Sequence, residues 1–196
     1  MTKSEIKFIF FAFVIWRLGL FLILFFAAKF LPLQLNFIGG GSGNYLTNPY
    51  FWAWGNFDGQ HYTAIAQNGY GFGEYTFFPV YSILIKFFGD ILGGSLFSFN
   101  LAGNLISNIT FIAALIGFYK LAKLDFSEKL SKLSVMLLLV FPTSFYFASV
   151  YTESIFFALL VWIFYCGRNG SNPKRRIAKY WGKRRCRAHK VYASIG

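Results

Sequence analysis

The chain has 196 residues, of which 56% are hydrophobic, 22% aromatic and only 13% charged, a balance that excludes an ordinary soluble domain. The net charge of +12 is unevenly placed: residues 1–166 carry nine Lys/Arg against seven Asp/Glu, whereas residues 167–196 carry ten Lys/Arg and no acid. Cys166 and Cys186 are too few for a disulfide framework and stand at no metal-ligand spacing from His61 or His189, so neither a metal nor a cofactor is expected.

The apolar residues come in blocks. Ile6 to Leu31 is interrupted only by Lys7, Arg17 and Lys29, and about 20 apolar residues suffice to cross a bilayer core. The block is too long for the apolar core of a signal peptide, and no small-x-small cleavage site follows before Gly39. It reads as a retained first span, about residues 8–31.

Residues 32–96 form a polar-aromatic interfacial loop. Gly39 to Asn44 is a flexible linker; no Lys-Ser/Thr pair follows, so it is not a phosphate-cradling loop. Tyr62 to Gln67 fit one or two helical turns, stopped at Asn68-Gly69. Tyr50, Trp52, Trp54, Tyr62 and Tyr70 read as an aromatic cluster at headgroup depth, compatible with a sugar-stacking platform. Phe77 to Leu92 is apolar but short and carries Lys86 and Asp90, so it reads as an interfacial or re-entrant helix.

Three further spans follow, at about 97–121, 130–147 and 150–166. The first bears Asn100, Asn104 and Asn108 at four-residue spacing, which puts three amides on one helical face that must turn toward protein or water. The last two are separated by a hairpin or kink near Phe141-Pro142-Thr143-Ser144. The expected fold is therefore an all-α polytopic membrane helix bundle. Lys3, Lys7, Lys120, Lys123, Lys129, Lys132 and Arg168 then share the inner side, leaving loop 32–96 and the Pro142–Tyr151 turn on the outer side. The tail, residues 167–196, has no periodicity and no apolar face, and reads as disordered or out of frame. Membrane lipids are the expected partners, and nucleic acid is not.

Asp58 is one of only seven acids and sits among aromatic residues, in Asn56-Phe57-Asp58-Gly59-Gln60-His61-Tyr62. A carboxylate held at a membrane face suits proton abstraction from a hydroxyl. It also suits capping of the helix that follows. Glu153, behind Thr152, is either a helix N-terminal charge or a site residue. Arg17, in mid-span, must pair with an acid or bind a phosphate, because facing lipid is costly. His61 has Asp58 or a substrate phosphate as its candidate partners, and Glu74 has no assigned role.

Three stretches together resemble one family. Phe57-Asp58-Gly59-Gln60-His61-Tyr62 with Ile65-Ala66 and Gly69-Tyr70 is similar to the Trp-Asp-x-x-His-Phe/Tyr…Ile-Ala…Gly-Tyr block of the PIG-V family, GPI mannosyltransferase II and its bacterial relatives. Phe77-Phe78-Pro79-Val80-Tyr81 resembles the Phe-Phe-Pro block that follows it. Phe141 to Tyr146 with Tyr151-Thr152-Glu153-Ser154-Ile155-Phe156 resembles the later Pro-x-x-x-Phe…Tyr-Thr-Glu block. The order and spacing agree over residues 5–165. Phe57 departs from the usual Trp, Ser82 from a second Pro, and the chain is about half the family's usual length.

The resemblance implies the N-terminal part of a GT-C-type integral membrane glycosyltransferase. Such an enzyme moves a sugar, commonly mannose, from a polyprenyl-phosphate carrier to a lipid or glycan acceptor hydroxyl, with inversion. The general base maps onto Asp58, and His61, Glu153, Tyr70 and Arg17 are the candidate substrate-binding residues. The membrane would be the cytoplasmic membrane of a bacterium or the endoplasmic reticulum of a eukaryote, with the site on the outer or lumenal face. Two other readings compete: an inactive fragment whose tail is out of frame after Cys166, and a transport protein whose Asn100/Asn104/Asn108 face lines a polar path.

Overall fold

The computed structural model describes residues 1–32 and 42–170. Eight α-helices and two 3-10 turns are present among them, with no strand. The helices are α1 (Lys3–Phe30), α2 (Ser42–Thr47), α3 (Pro49–Trp52), α4 (Asp58–Asn68), α5 (Pro79–Ile91), α6 (Leu96–Ala122), α7 (Glu128–Val140) and α8 (Glu153–Gly170).

The starts and stops of these helices are written locally. Thr2 and Glu5 form a reciprocal capping box on α1, the Thr2 Oγ accepting from the Glu5 N–H at 3.2 Å and Glu5 from the Thr2 N–H at 2.7 Å. Ser95 caps α6 and Ser127 caps α7. Leu31 and Phe141, each preceding a proline, are extended and end α1 and α7.

Only α1 and α6, among the described residues, are individually long and apolar enough to cross a membrane. At 1.5 Å per residue they are roughly 40 Å long. The span expected at 130–147 is not one straight helix. Pro142 turns the chain by 84° into the 3-10 turn Pro142–Ala148, so α7 keeps 13 residues, about 20 Å. The last helix runs to Gly170, past the expected limit at 166. Segment 77–92 holds a single 13-residue helix, α5, as its length suggests. The linker expected at Gly39 to Asn44 lies outside the described residues up to 41, and Ser42 begins α2. The tail beyond 170 lies outside them as well.

The surface is apolar where a soluble protein's would be polar. Phe11, Ile15, Leu18 and Ile23 on α1 are each at least 60% exposed, an apolar face suited to lipid or to packing against protein. Inside, one core joins α1, α6, α7 and α8 through Ile9, Phe13, Phe111, Leu115, Val135 and Val161. A second joins α4, α5 and α6 through Tyr62, Tyr81, Ile85, Phe99 and Val150.

The cations mark one end of the bundle. Tyr119, in the last turn of α6, and Lys123, its C-cap, both donate to Glu5 in the first turn of α1, the Tyr119 bond at 2.9 Å. Lys132 on α7 lies 5.5 Å from the Phe8 ring. Arg168 on α8 is bidentate to Asp125, with Nη2 at 2.6 Å from Oδ1. Thus α1 and α7 start where α6 and α8 finish, and the other end is left to the polar-aromatic loop.

Candidate active site

At that other end the three motif stretches meet. The strap Ser149–Thr152, between the 3-10 turn and α8, is tied to them one after another. Its Val150 N–H donates to the Trp54 carbonyl at 2.7 Å, and the Tyr151 hydroxyl donates to the Asn56 carbonyl at 3.0 Å. Ser107 on α6 donates to the Tyr151 carbonyl at 3.2 Å, and the Tyr62 and Thr152 hydroxyls are 3.4 Å apart. Tyr81 completes the arrangement from α5: its hydroxyl reaches the Gly103 carbonyl at 2.9 Å and Ser107 Oγ at 2.6 Å. Ser82, where the resemblance expects a proline, donates to the Tyr62 carbonyl at 3.1 Å.

Val150 is fully buried because two glycines make room for it. A Cβ at Gly59 would lie 3.2 Å from the Val150 carbonyl oxygen, and one at Gly103 only 2.6 Å from Val150 Cγ1. Gly59 therefore lets the first turn of α4 press directly onto the strap.

Asp58 opens α4 from a tight turn. The Gly59 N–H bonds the Asn56 carbonyl at 3.1 Å, and Phe57 has φ 54° and ψ −120°, the one non-glycine with positive φ among the described residues. Such a conformation costs on the order of 1–3 kcal/mol and persists only where neighbours enforce it; here the bonds from the strap to the Trp54 and Asn56 carbonyls do so. The capping alternative fails. Phe57 occupies the N-cap position without a side-chain cap bond, and Asp58 is the first helical residue. Its carboxylate is exposed, not spent on the helix end.

Glu153, the first residue of α8, is half-buried, and its Oε2 is buried with no hydrogen-bond partner. Its charge and that of Asp58 reach each other and the Tyr62 hydroxyl. Burial first, then those two charges, push the Tyr62 phenol above its usual range, against the bond to Thr152. Tyr62 thus stays a neutral hydroxyl beside two acids.

The other candidate site residues make contacts of their own. His61 does not reach for Asp58: its Nδ1 is 3.3 Å from Glu74 Oε1, and its ring stacks on Phe77 at 4.7 Å. Glu74 is mostly buried, and its other oxygen accepts the Gly71 N–H at 2.7 Å. Tyr70 stacks on Tyr75 and donates to the Phe77 carbonyl at 2.7 Å. These residues hold loop 70–77 against α4. Arg17 has no acid within 4 Å among the described residues. Its guanidinium lies 3.9 Å from the Trp54 ring centroid and 4.6 Å from that of Phe21, with Nη2 3.3 Å from Asn104 Oδ1 and Nη1 buried without a partner. The aromatic residues expected as one cluster are divided: Trp54 packs on Phe21, Tyr50 on Phe25, and Tyr62 on Phe77 and Tyr81.

The amide face of α6 turns toward protein. Asn104 and Asn108 both donate to the Ala148 carbonyl, at 3.2 and 3.4 Å. That gives Asn104 and Asn108 a packing role.

Gly103 and Ser107 are not singled out by the sequence, Tyr81 and the strap stand there only as motif positions, and Glu74 carries no assigned role. The signal for Tyr81 was present, in an aromatic-proline motif, but nothing in it points to Ser107.

The model of the family described as Mannosyltransferase (PIG-V) matches residues 8–183, which extends past Tyr165, where the motif resemblance ends. No curated protein and no solved structure matches the chain. With most of its length matched and helices apolar enough to cross a bilayer, the chain belongs to the PIG-V family of membrane mannosyltransferases.

Proposed function

We propose that the chain carries the acceptor-activating site of a GT-C-type transferase, which moves mannose with inversion from a polyprenyl-phosphate carrier to a lipid or glycan hydroxyl. The observation that carries this is the posture of Asp58: exposed, free of helix capping, and set on an enforced turn beside the half-buried Glu153. In the reaction the acceptor hydroxyl attacks the anomeric carbon while the bond to the carrier phosphate breaks on the opposite face. The hydroxyl proton passes to Asp58, and the phosphate leaves with the bonding electrons. A phosphate leaving group needs positive charge more than a general acid, so no carboxylate pair of the glycosidase kind is required.

The remaining roles follow the geometry. Glu153, with one oxygen unpartnered, accepts from an acceptor hydroxyl. His61, fixed through Nδ1 by Glu74, leaves Nε2 for a substrate oxygen. Tyr70 holds the loop beside it. Arg17, with Nη1 unpartnered, is the cation available to the phosphate.

The donor assignment is tested with membranes containing the chain, supplied with either polyprenyl-phosphate mannose or nucleotide-linked mannose while carrier synthesis is blocked. Transfer from the carrier alone, giving product of inverted anomeric configuration, is the expected result. Transfer from the nucleotide sugar under the block removes the carrier from the mechanism.

The site is assigned to the outer or lumenal face, because the cationic end of the bundle is the inner one by the positive-inside rule. In a background without Cys166 and Cys186, a membrane-impermeant thiol reagent is expected to label Gln67→Cys in intact cells. Lys129→Cys should react only after permeabilisation. Labelling of both from outside places α5 across the membrane.

A further inference from the structure

Beside the Asp58 turn lies a cleft of about 270 Å3 that the mechanism above does not use. Tyr45, Trp52, Asn56, Gln60, Gln67 and Asn100 contribute to its walls, and no lining residue is charged. Asn100 is 2% exposed, yet its Nδ2 has no hydrogen-bond partner, an arrangement that is unfavourable unless a ligand or water supplies the acceptor. Gly55 makes the space for this amide, since a Cβ there would lie 2.0 Å from Asn100 Oδ1.

We infer that this cleft is a binding subsite for an uncharged hexose ring. Hydroxyl groups are both donors and acceptors and match carboxamides, which are both as well. Trp52 and Tyr45 supply the apolar faces on which the C–H side of a pyranose packs. The absence of Lys, Arg and His from the walls argues against a phosphate. The volume is below the roughly 300–1,000 Å3 of drug-sized-ligand pockets, which suits one sugar unit. Asn56 begins the turn that carries Asp58 and Gln60 lies in the first turn of α4, so the bound ring lies against that turn, with Asp58 itself outside the walls of the cleft. The binding stands on the cleft alone; the ring's identity as acceptor or donor sugar rests on the transferase reading.

The test is saturation-transfer NMR on the full chain in a detergent without a sugar headgroup, with methyl α-D-mannopyranoside as the probe. Magnetisation transfer to the ring protons is expected for the wild type and for Gly19→Ala, whose added Cβ meets nothing within 4 Å. The buried Asn100→Leu and the rim variant Gln67→Ala, which is exposed and leaves the fold intact, are each expected to weaken binding by about 3- to 10-fold, the loss of one hydrogen bond. No transfer to the wild type, or equal binding by Gln67→Ala, overturns the subsite. In the mannosyl-transfer assay, a higher KM for the acceptor in Gln67→Ala identifies the ring as the acceptor's, and a higher KM for the carrier identifies it as the donor's. A transferase that fails altogether with retained sugar binding overturns the transferase reading and leaves the subsite standing.

Discussion

Asp58→Asn is expected to lower mannosyl transfer by about 100- to 10,000-fold at equal membrane abundance, the usual contribution of a general base. The substitution keeps side-chain size and most hydrogen bonding and removes only the capacity to accept a proton. Two features make the result interpretable. Asp58 makes no cap bond, so the helix end does not depend on the carboxylate. Its side chain is exposed, so no packing is disturbed. Glu153, the acid whose charge it feels, belongs to another helix and remains in place. Insertion and thermal stability are therefore expected to match the wild type, with the loss confined to kcat. Transfer within a few-fold of wild type removes Asp58 from the mechanism and makes Glu153→Gln the next variant to measure.

What the sequence made legible, and what it hid, divides by the range of the interaction. The long helices follow from hydropathy blocks, and the end of α7 follows from Pro142, because both are local. The kink expected there is the 84° bend, but its docking does not follow from sequence, since that depends on where Ala148 finds Asn104 and Asn108. Asparagine spacing gave the polar face of α6 but not its occupant. Asp58 stood out as an acid among aromatic residues. The residues that position it did not, because Tyr151 meets Asn56 across 95 positions and no local pattern records that contact. The acid partner considered for Arg17 is missing among the described residues for a different reason. A mid-span cation leads the reader to look for an anion, and here two ring faces and one amide take that place. His61 was read against its nearest acid in sequence, whereas the fold brings Glu74 to it by closing the 70–77 loop.

Gly103→Ala tests whether the strap sets the geometry of the site. The added Cβ would meet Val150 Cγ1 at 2.6 Å and Ile85 Cδ1 at 3.2 Å, in a region where neither side chain is exposed. Val150 is β-branched and cannot easily swing away, so the strap itself must shift. Over-packing of this kind costs about 1–3 kcal/mol. The effect on activity is expected to be larger than the effect on stability. Val150 and Tyr151 hold the carbonyls of Trp54 and Asn56, and the Asp58 turn depends on both. Displacing a catalytic group by ~1 Å lowers rates by about 100-fold, and that is the fall expected here. Val150→Ala in the same chain removes the colliding methyl and is expected to recover most of the lost transfer, so the pair is strongly non-additive. Gly19→Ala, with nothing within 4 Å, is expected to behave as wild type. Additive losses in the double variant, measured as transfer rates and as thermal midpoints in detergent, would mean that Val150 does not connect α6 to the catalytic turn.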